Sequence, residues 1–552
     1  MRQTILSVVL DVDPQSVRHL SDLIEDFKRQ QEEAGTESYV RLKDGLPSLH
    51  FLSMSVFQSA DYDPVFVIEA NFDGASDTFW RHFEATMADH LRPMLRCCKR
   101  PVDNDEPVYD AVTKPGAREP VVTYLARRTL RPSVFHQGNR GLERERILRE
   151  RDLFLAIKGE LAQPSPTAPN PYRAIPAEQI HTRLRNAMSR SFPWLAEPAS
   201  PRIPWTERTA DFCRLLAFLF ATFLCLSIPG MAVAPVTPAL RFAVLTAVLA
   251  GLVAIGLWRM HRARAGEGVP TRSGGLTPAS LSVKNRLTSF AHPVTLVAGL
   301  LFVVALYVVA ATVIGSVLTM LITGLSYADS FWPTARVVLL GLASIAFTAP
   351  AVVLWLRWLE RRDSSHDEPP VDVQLLREMA RREDWIAQNH MGSVVLIKPG
   401  VLRTILVRTG HLGLGLILRA IATDGYLGSM RTVHFAHWAF INNGSRLMFF
   451  SNFDHSWESY LDDFIEKAHG GLTLAWGSGV GFPPTRFLVL DGASHGRKFK
   501  AWARHSMAVS RFWFSAYRDL TVDQIERNAR IADGLRKATL KAQEATAWAR
   551  DL

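Results

Sequence analysis

The chain has 552 residues, 48% of them hydrophobic and 21% charged, with a formal net charge of +10. That length exceeds what one hydrophobic core organises, so a single domain is excluded and two or more folding units are expected. Cys97, Cys98, Cys213 and Cys225 lack the spacing of a disulfide framework or a zinc site, which points to a reducing compartment.

In chain order, "MRQTILSVVLDVDP" lacks the basic start, apolar core and small-residue cleavage site of a signal peptide, so no cleaved export signal is expected. A strand in "TILSVVLDVD", a helix around residues 17–29 and strands in "SLHFLSMSVF" and "FVIEANF" follow. Phe79 and Phe83, four apart, then mark a helix. A last strand and a closing helix over 142–161 complete a ferredoxin-like order. Next come a proline-rich spacer, "AQPSPTAPNPYRAIP", and "AEQIHTRLRNAMSRSFPWL", which reads either as a basic amphipathic helix lying on the bilayer or as an ordinary surface helix.

Four uncharged runs occupy 215–236, 242–258, 294–325 and 337–356. Each is long enough to cross roughly 30 Å of hydrocarbon as a helix, the second only just. The connections "PGMAVAPVTPA" and "SYADSFWPTA" contain no Lys or Arg, and Tyr327 and Trp332 suit the headgroup layer. Arginine gathers at the other ends: Arg202, Arg208 and Arg214 before the first run, Arg357, Arg361 and Arg362 after the last, and Arg259, Arg262, Arg264, Arg272, Lys284 and Arg286 between the two hairpins. The positive-inside rule turns those ends to the cytoplasm, so a multi-pass inner-membrane protein with both termini cytoplasmic is expected. An arginine collar beside anionic lipid accounts for most of the net charge, and no nucleic-acid partner is expected. No run has Asp, Glu or Lys at its centre, which disfavours a transport pathway and leaves an anchor or dimerisation platform.

"NFDGASDTFWRHF" from Asn71 and "NFDHSWESYLDDF" from Asn452 align at one offset, as do "SLHFLSMSVF" with "TVHFAHWAFI" and the segments around Arg140 and Arg518. The expectation is a duplicated domain. The fold class is then α+β: two ferredoxin-like domains packed as a pseudo-dimer and joined through a four-helix transmembrane region. The expected boundaries are 1–160 for the first copy, 161–210 for a linker with an interfacial helix, 211–360 for the membrane region, 361–388 for a second linker, and 389–552 for the second copy. "SVVLIKPGVLRTILV" begins that second copy, which ends in a long helix. The two sheets are expected to meet face to face at Phe51 and Phe435, because either face left open would be sticky.

With "KPGVLR", "VHFAHW", "LMFFSNFDHSWESYLDDFI", "GLTLAWGSGVGFP", "FKAWAR" and "FWFSAYRDLTVDQI", the second copy resembles a bacterial membrane-anchored family of no assigned reaction. Domains of that family are similar to the dimeric α+β barrel group, which includes the dye-decolourising haem peroxidases. The likeness covers most of 389–535 and, more weakly, 46–157. It implies haem as a cofactor and peroxidase-like chemistry as one reading. The Gly-x-x-Asp-Gly signature of the peroxidases is absent: "NFDG" has no upstream glycine at that spacing, and His455 replaces the equivalent of Gly74.

The cofactor-binding candidates are His434, His50, which repeats it, and Arg518. His434 reads as an axial haem ligand, a hydrogen-bonding group in a pocket, or a satisfied strand histidine. His437 stands three residues away on the same strand, so the two are expected on opposite faces with no shared metal. Asn71, Asp73, Asn452 and Asp454 end strands and begin helices, where capping explains them. Arg140 and Arg518 follow the last strands at the rim, as an anion clamp or as salt bridges. "GSGVGFPP" lacks the Lys-Ser/Thr of a phosphate loop and reads as a flexible loop or lid. No catalytic set emerges. Three functions stay open: a ligand-binding or partner-docking module at the cytoplasmic membrane face, a haem-dependent peroxidase acting on a lipophilic substrate from the bilayer, and a scaffold without ligand. Whether the chain is an enzyme stays open with them. The partners expected are the lipid bilayer, a small hydrophobic ligand or haem, and a protein partner or second copy.

Overall fold

The computed structural model describes residues 3–32, 40–59, 62–162, 170–173, 175–198, 201–262, 293–363, 372–383, 387–421 and 431–552. Strands β1 (Gln3–Asp11), β2 (Leu49–Phe57) and β3 (Val65–Asp73) pair antiparallel, and the short β4 (Thr129–Leu130) lies beside β1. The next strand, β5 (Val134–Gln137), leaves that sheet and pairs with β7 (Val433–Ile441). Together with β6 (Gln388–Leu396) and β8 (Arg446–Asp454) it builds the second sheet. After a small hairpin of β9 (Thr485–Arg486) and β10 (Leu490–Asp491), β11 (Met507–Ala508) joins β6. Then β12 (Ser510–Ser515) crosses back to β2, with Trp513 opposite Ser53. The orders are β12-β2-β3-β1-β4 and β11-β6-β8-β7-β5, so each half of the chain gives one strand to the other's sheet.

That exchange corrects the expected architecture. Neither half is a self-contained ferredoxin-like domain repeated twice, since each sheet is completed by a strand from the other half. Nor do the described residues form a closed barrel, because β4 and β12, like β5 and β11, end their sheets. What the residues build is a mixed α+β fold of two antiparallel sheets with several long apolar helices.

Alternation along the strands separates two layers. Phe66, Ile68, Ala70 and Phe72 of β3 pack with Leu20, Ile24 and Phe27 of α1 (Val17–Glu32) and with Phe79, Phe83 and Met87 of α2 (Ser76–Arg96). Val65 and Val67 face the other sheet instead, against Val394, Met448 and Phe450. Phe51 and Phe435 meet there with ring centroids 5.7 Å apart, and Phe57 meets Phe450 at 5.9 Å. Each such buried ring contributes about 1.5–3 kcal/mol. Register irregularities between Leu49 and Phe51 and between Val433 and Phe435 act as β-bulges, which bend the strand and re-aim side chains. His434 and Phe435 thereby both reach the inter-sheet layer, as does His437, so the expectation that His434 and His437 point to opposite faces fails at the bulge.

Outside the sheets, α3 (Arg144–Leu161), α4 (Ala177–Met188) and a second group near the C-terminus share one apolar cluster around Leu153, Leu184, Ile531, Leu535 and Trp548. His181 of α4 is buried with Nε2 2.9 Å from the Gly534 carbonyl, the docking of an ordinary surface helix.

The apolar runs form α5 (Trp205–Val233), α6 (Ala239–Arg262), α7 (Pro293–Thr323) and α8 (Tyr327–Arg361). "SYADSFWPTA" is not a loop: Ser326 caps α8 by accepting from Asp329 N, and the helix runs on through Pro333 and Pro350. Small residues let α5 and α8 approach closely, with Gly230 against Ser344, Gly341 against Met231, and Thr348 donating to the Leu226 carbonyl. A further helix, α9 (Val401–Ile421), is not among the four expected apolar helices, and among the described residues five helices are long and apolar enough to cross a membrane. It begins just after Pro399 and Gly400, inside the stretch read as the opening of a second copy. The later helices of that half are α10 (Trp457–Trp476), α11 (Gly496–Ser506), α12 (Val522–Arg536) and α13 (Ala542–Ala549). The single long C-terminal helix is thus two. Arg264, Arg272, Lys284 and Arg286, with residues 163–169 of the first linker and 364–371 and 384–386 of the second, lie outside the described residues.

Candidate functional site

A layer of polar side chains lies between the sheets. Glu69 of β3, 1% exposed, accepts hydrogen bonds from Ser53 Oγ at 3.1 Å and from Asn71 Nδ2 at 2.8 Å. His390 Nε2 of β6 stands 3.3 Å from the same carboxylate, and His437 Nδ1 of β7 stands 3.7 Å from it. The layer continues outward, with Ser7 Oγ 2.8 Å from His437 Nε2, Ser510 Oγ 2.6 Å from His390 Nδ1, and Trp513 Nε1 donating to Asn452 at 2.8 Å. Burial by itself would raise the Glu69 carboxyl, but the His390 hydrogen bond and the neighbouring imidazoles hold it below the ordinary carboxylate range. Burial pushes His437 the other way, below an ordinary imidazole, and Glu69 offsets this only in part. Glu69, Ser7, Ser53, Asn71, His437 and Asn452 are buried while His390, Ser510 and Trp513 are half-buried, and the His390, His437 and Trp513 contacts run from one sheet to the other. Such contacts hold the two halves in register.

The histidines expected to hold a cofactor sit at one end of this layer. His50 Nε2 is 3.0 Å from Asp73 and its Nδ1 is 2.8 Å from the Tyr517 hydroxyl. His434 Nε2 is 2.8 Å from Asp454. Both rings are almost fully buried, packed on Phe435, Phe51 and Tyr517. His434 Nε2 is hydrogen-bonded to a carboxylate, His50 Nε2 faces one, and aromatic rings pack beside both imidazoles. Among the described residues no group of three or more His, Cys, Asp or Glu side chains could hold a metal ion. With open-edged sheets and no such cluster, the likeness to the barrel-fold peroxidases is corrected. Arg518 follows Tyr517 in the turn after β12 and is half-buried.

Capping does explain the aspartates, but at other helices than expected. Asp73 accepts from Arg144 N, the first residue of α3, at 2.7 Å, and Asp454 accepts from Val522 N, the first residue of α12, at 2.8 Å. The helices that directly follow β3 and β8 are instead begun by Ala75, which offers no side-chain cap, and by Ser456, which accepts from Ser459 N.

Two clamps tie the sheets to the membrane helices. At the first, Arg140 pairs with Asp211 at 2.7 Å, pairs with Glu207, and donates to the Arg419 carbonyl at 2.7 Å. Arg419 of α9 closes the network with Asp211 at 3.0 Å. Arg140 is thus a salt-bridge hub at the start of α5, one of the two alternatives for it. At the second clamp, Glu360 near the end of α8 accepts from Thr485 Oγ1, Phe487 N and Leu488 N at 2.8–3.0 Å. Phe487 and Leu488 adopt positive φ to present those amides. Lys398 and Arg403 add pairs to Asp363 at 2.7 and 3.5 Å. "GSGVGFPP" lies beside this clamp as packed structure, with Phe482 fully buried and Gly479 against Trp502, so it is no lid.

An open groove of about 790 Å³ lies along β1, lined by Gln3, Ile5, Gly74, Ser76, Leu130 and Phe135 among others. It exists because β4 pairs only with Ser7 and Val8, leaving the edge at Gln3–Leu6 without a strand. Phe135 and Gln3 also line the small cleft formed with Arg140, Glu207 and Arg419, and the Arg419 guanidinium lies 5.0 Å over the Phe135 ring. The groove thus opens beside the first clamp.

The chain is a membrane-embedded protein with multiple apolar helices and folded extramembrane regions. No known protein family matches it, and no curated protein or solved structure is similar to it; the suspected likeness to a peroxidase-related family has no support. Sequence reasoning missed Glu69, His390, Glu207, Asp211 and Glu360. The available signal was Glu69 itself, an acid in the strand "FVIEANF" on the same face as Asn71.

Proposed function

We propose that the chain holds a binding module at the cytoplasmic face of a membrane and that its groove along β1 takes an amphipathic ligand from the bilayer. The observation that carries this reading is the position of the groove: its wall continues through Gln3 and Phe135 into the junction with α5, where bilayer and module meet. Leu130, Pro132 and Phe135 offer apolar surface to a chain, and Arg131 at the exposed rim offers a cation to a headgroup. The shared side of residues 3–162 and 387–552 is supported by the strand exchange, since strands of one sheet cannot lie across a bilayer from one another. The arginine collar favours the cytoplasmic side.

Photolabelling of the full chain in bilayers carrying a diazirine phospholipid tests the ligand. Labelled peptides are expected from residues 129–135 as well as from the apolar helices, and Ser76→Trp, which fills the groove, should remove the first set and spare the second. Labelling confined to the apolar helices would sink the reading. Membrane-impermeant thiol labelling tests the side: cysteines placed at the exposed Val102 and Lys541 should both be protected in intact cells. Labelling of either would place the module outside.

The edge at Gln3–Leu6, covered by no strand although the Gln3 carbonyl accepts from Gln137 Nε2 at 2.9 Å, favours a second occupant, an extended peptide adding to the sheet as a strand. Slowed amide exchange at those residues on adding a partner, with no lipid labelling, would select it.

A further inference from the structure

Helix α9 has the length and apolarity of a membrane span, yet its neighbours in the chain forbid a single crossing. β6 precedes it and β7 follows it, and both pair with β8 in one sheet. Only residues 422–432 separate α9 from β7, too few for a return helix, which needs about 20 residues.

Its contacts fix its direction. Near its start, Arg403 donates to the Leu359 carbonyl at 3.1 Å and pairs with Asp363, both at the end of α8. Midway, Gly413 is so close to Phe218 of α5 that a Cβ would stand 3.0 Å from the ring. At its other end Arg419 reaches Asp211 and Glu207, at the start of α5. Since α5 and α8 pack antiparallel, with Leu226 level with Thr348, positions 211–218 of α5 and 356–363 of α8 lie at one depth. From Arg403 to Arg419 the helix covers about 24 Å at 1.5 Å per residue, while its anchors stay near a single level. It therefore runs across the ends of the apolar helices and not alongside them.

One flank of α9 faces the second sheet: His411 is buried between Ser133 and the Ala475 carbonyl, and Val407 is buried beside it. The opposite flank exposes Val401, Ile405, Leu412 and Ile417, which are 79%, 55%, 53% and 44% accessible. The ends of α5 and α8 that α9 meets, at Phe218 and Leu359, carry Arg208, Arg214, Arg361 and Arg362 in sequence.

We propose that α9 is an in-plane membrane helix, with Val401, Ile405, Leu412 and Ile417 seated in the boundary between lipid headgroups and acyl chains. The occupant of this face is the bilayer itself. An apolar stripe, flanking arginines that reach up to headgroups, and anchors on two apolar helices at one depth are the properties of an interfacial helix. Seated so, α9 is the sole on which the second sheet rests. The inference does not depend on the groove or its ligand.

Depth measurement tests it. Cysteines replace Ile405 and Ile417 one at a time in the full chain, with Cys213 and Cys225 changed to serine. Each carries an environment-sensitive fluorophore, and the protein sits in phosphatidylcholine bilayers with nitroxides placed either near the headgroup or at the acyl terminus. The expected result is quenching at both sites, several-fold stronger with the shallow nitroxide and in equal ratio at the two positions. A crossing helix would separate the sites by about 18 Å of depth, so unequal ratios would overturn the proposal, as would absence of quenching at both. Both positions are exposed, and the wild-type unfolding midpoint of each labelled protein serves as the check on folding.

Discussion

Glu69→Ala is expected to lower stability by about 3–5 kcal/mol, the range for removing one partner from a buried charged network. The carboxylate is 1% exposed and receives Ser53 and Asn71 directly, with His390 3.3 Å away. Its removal leaves buried donors from both sheets without an acceptor, and each such group costs about 1–3 kcal/mol. Glu69→Gln keeps an amide oxygen for Ser53 and should cost less than half as much. Unfolding of the full chain followed by tryptophan emission measures both, since Trp513 donates into the same layer through Asn452. A loss below about 1 kcal/mol for the alanine variant would mean that water enters the layer and satisfies the donors.

How much of this was readable beforehand differs by element. The strands came through because Phe66, Ile68, Ala70 and Phe72 alternate with Val65, Val67, Glu69 and Asn71, and the apolar runs because nothing but a bilayer accommodates them. The strand exchange did not, because pairing is a long-range choice: nothing in "VFHQ" says that its partner lies some 300 residues away at Phe435 to Trp438. Nor did α9, whose Val401, Ile405 and Val407 have the β-branched composition of a strand, while Gly410, Gly413 and Gly415 weaken a helical reading. Those glycines serve close approach, to Leu474, Phe218 and Ser133 in turn. The site was misread through geometry. His434 and His437 look opposed by counting residues, and one bulge reverses that. Likewise Asp73 and Asp454 were capping residues by type, but only the tertiary fold brings Arg144 and Val522 to them.

Acid is expected to loosen the sheets well before any carboxylate in the layer protonates. His136 of β5 is 3% exposed, and its Nε2 finds no hydrogen-bond partner among the described residues. Burial alone pushes its pKa down from 6.5 to about 3. With the folded value depressed, the unfolded chain takes up the proton first. The contribution is therefore complete above pH 6.5 and is lost progressively as pH falls toward the folded value. At about 1.4 kcal/mol for each pH unit, His136 alone removes about 2 to 3 kcal/mol by pH 4.5 and about 4 to 5 kcal/mol by pH 3. His437, also depressed by burial, acts with the same sign in the same window. Glu69 and Asp73 join only below their ordinary values of 4.5 and 3.8, because their folded pKa values lie lower still. Between pH 6.5 and 4.5 the loss is thus a histidine effect, and His136→Leu separates it from the rest. That variant removes an unsatisfied imidazole at neutral pH, so its stability at pH 7 should equal or exceed that of the wild type, while its slope across pH 6.5 to 4.5 should fall by at least half. Chemical unfolding of both proteins at a series of pH values gives the two slopes directly. An unchanged slope in His136→Leu would show that His136 already meets water or a partner in the folded chain, and would leave His437 and His411, both lowered by burial, as the groups that respond to acid.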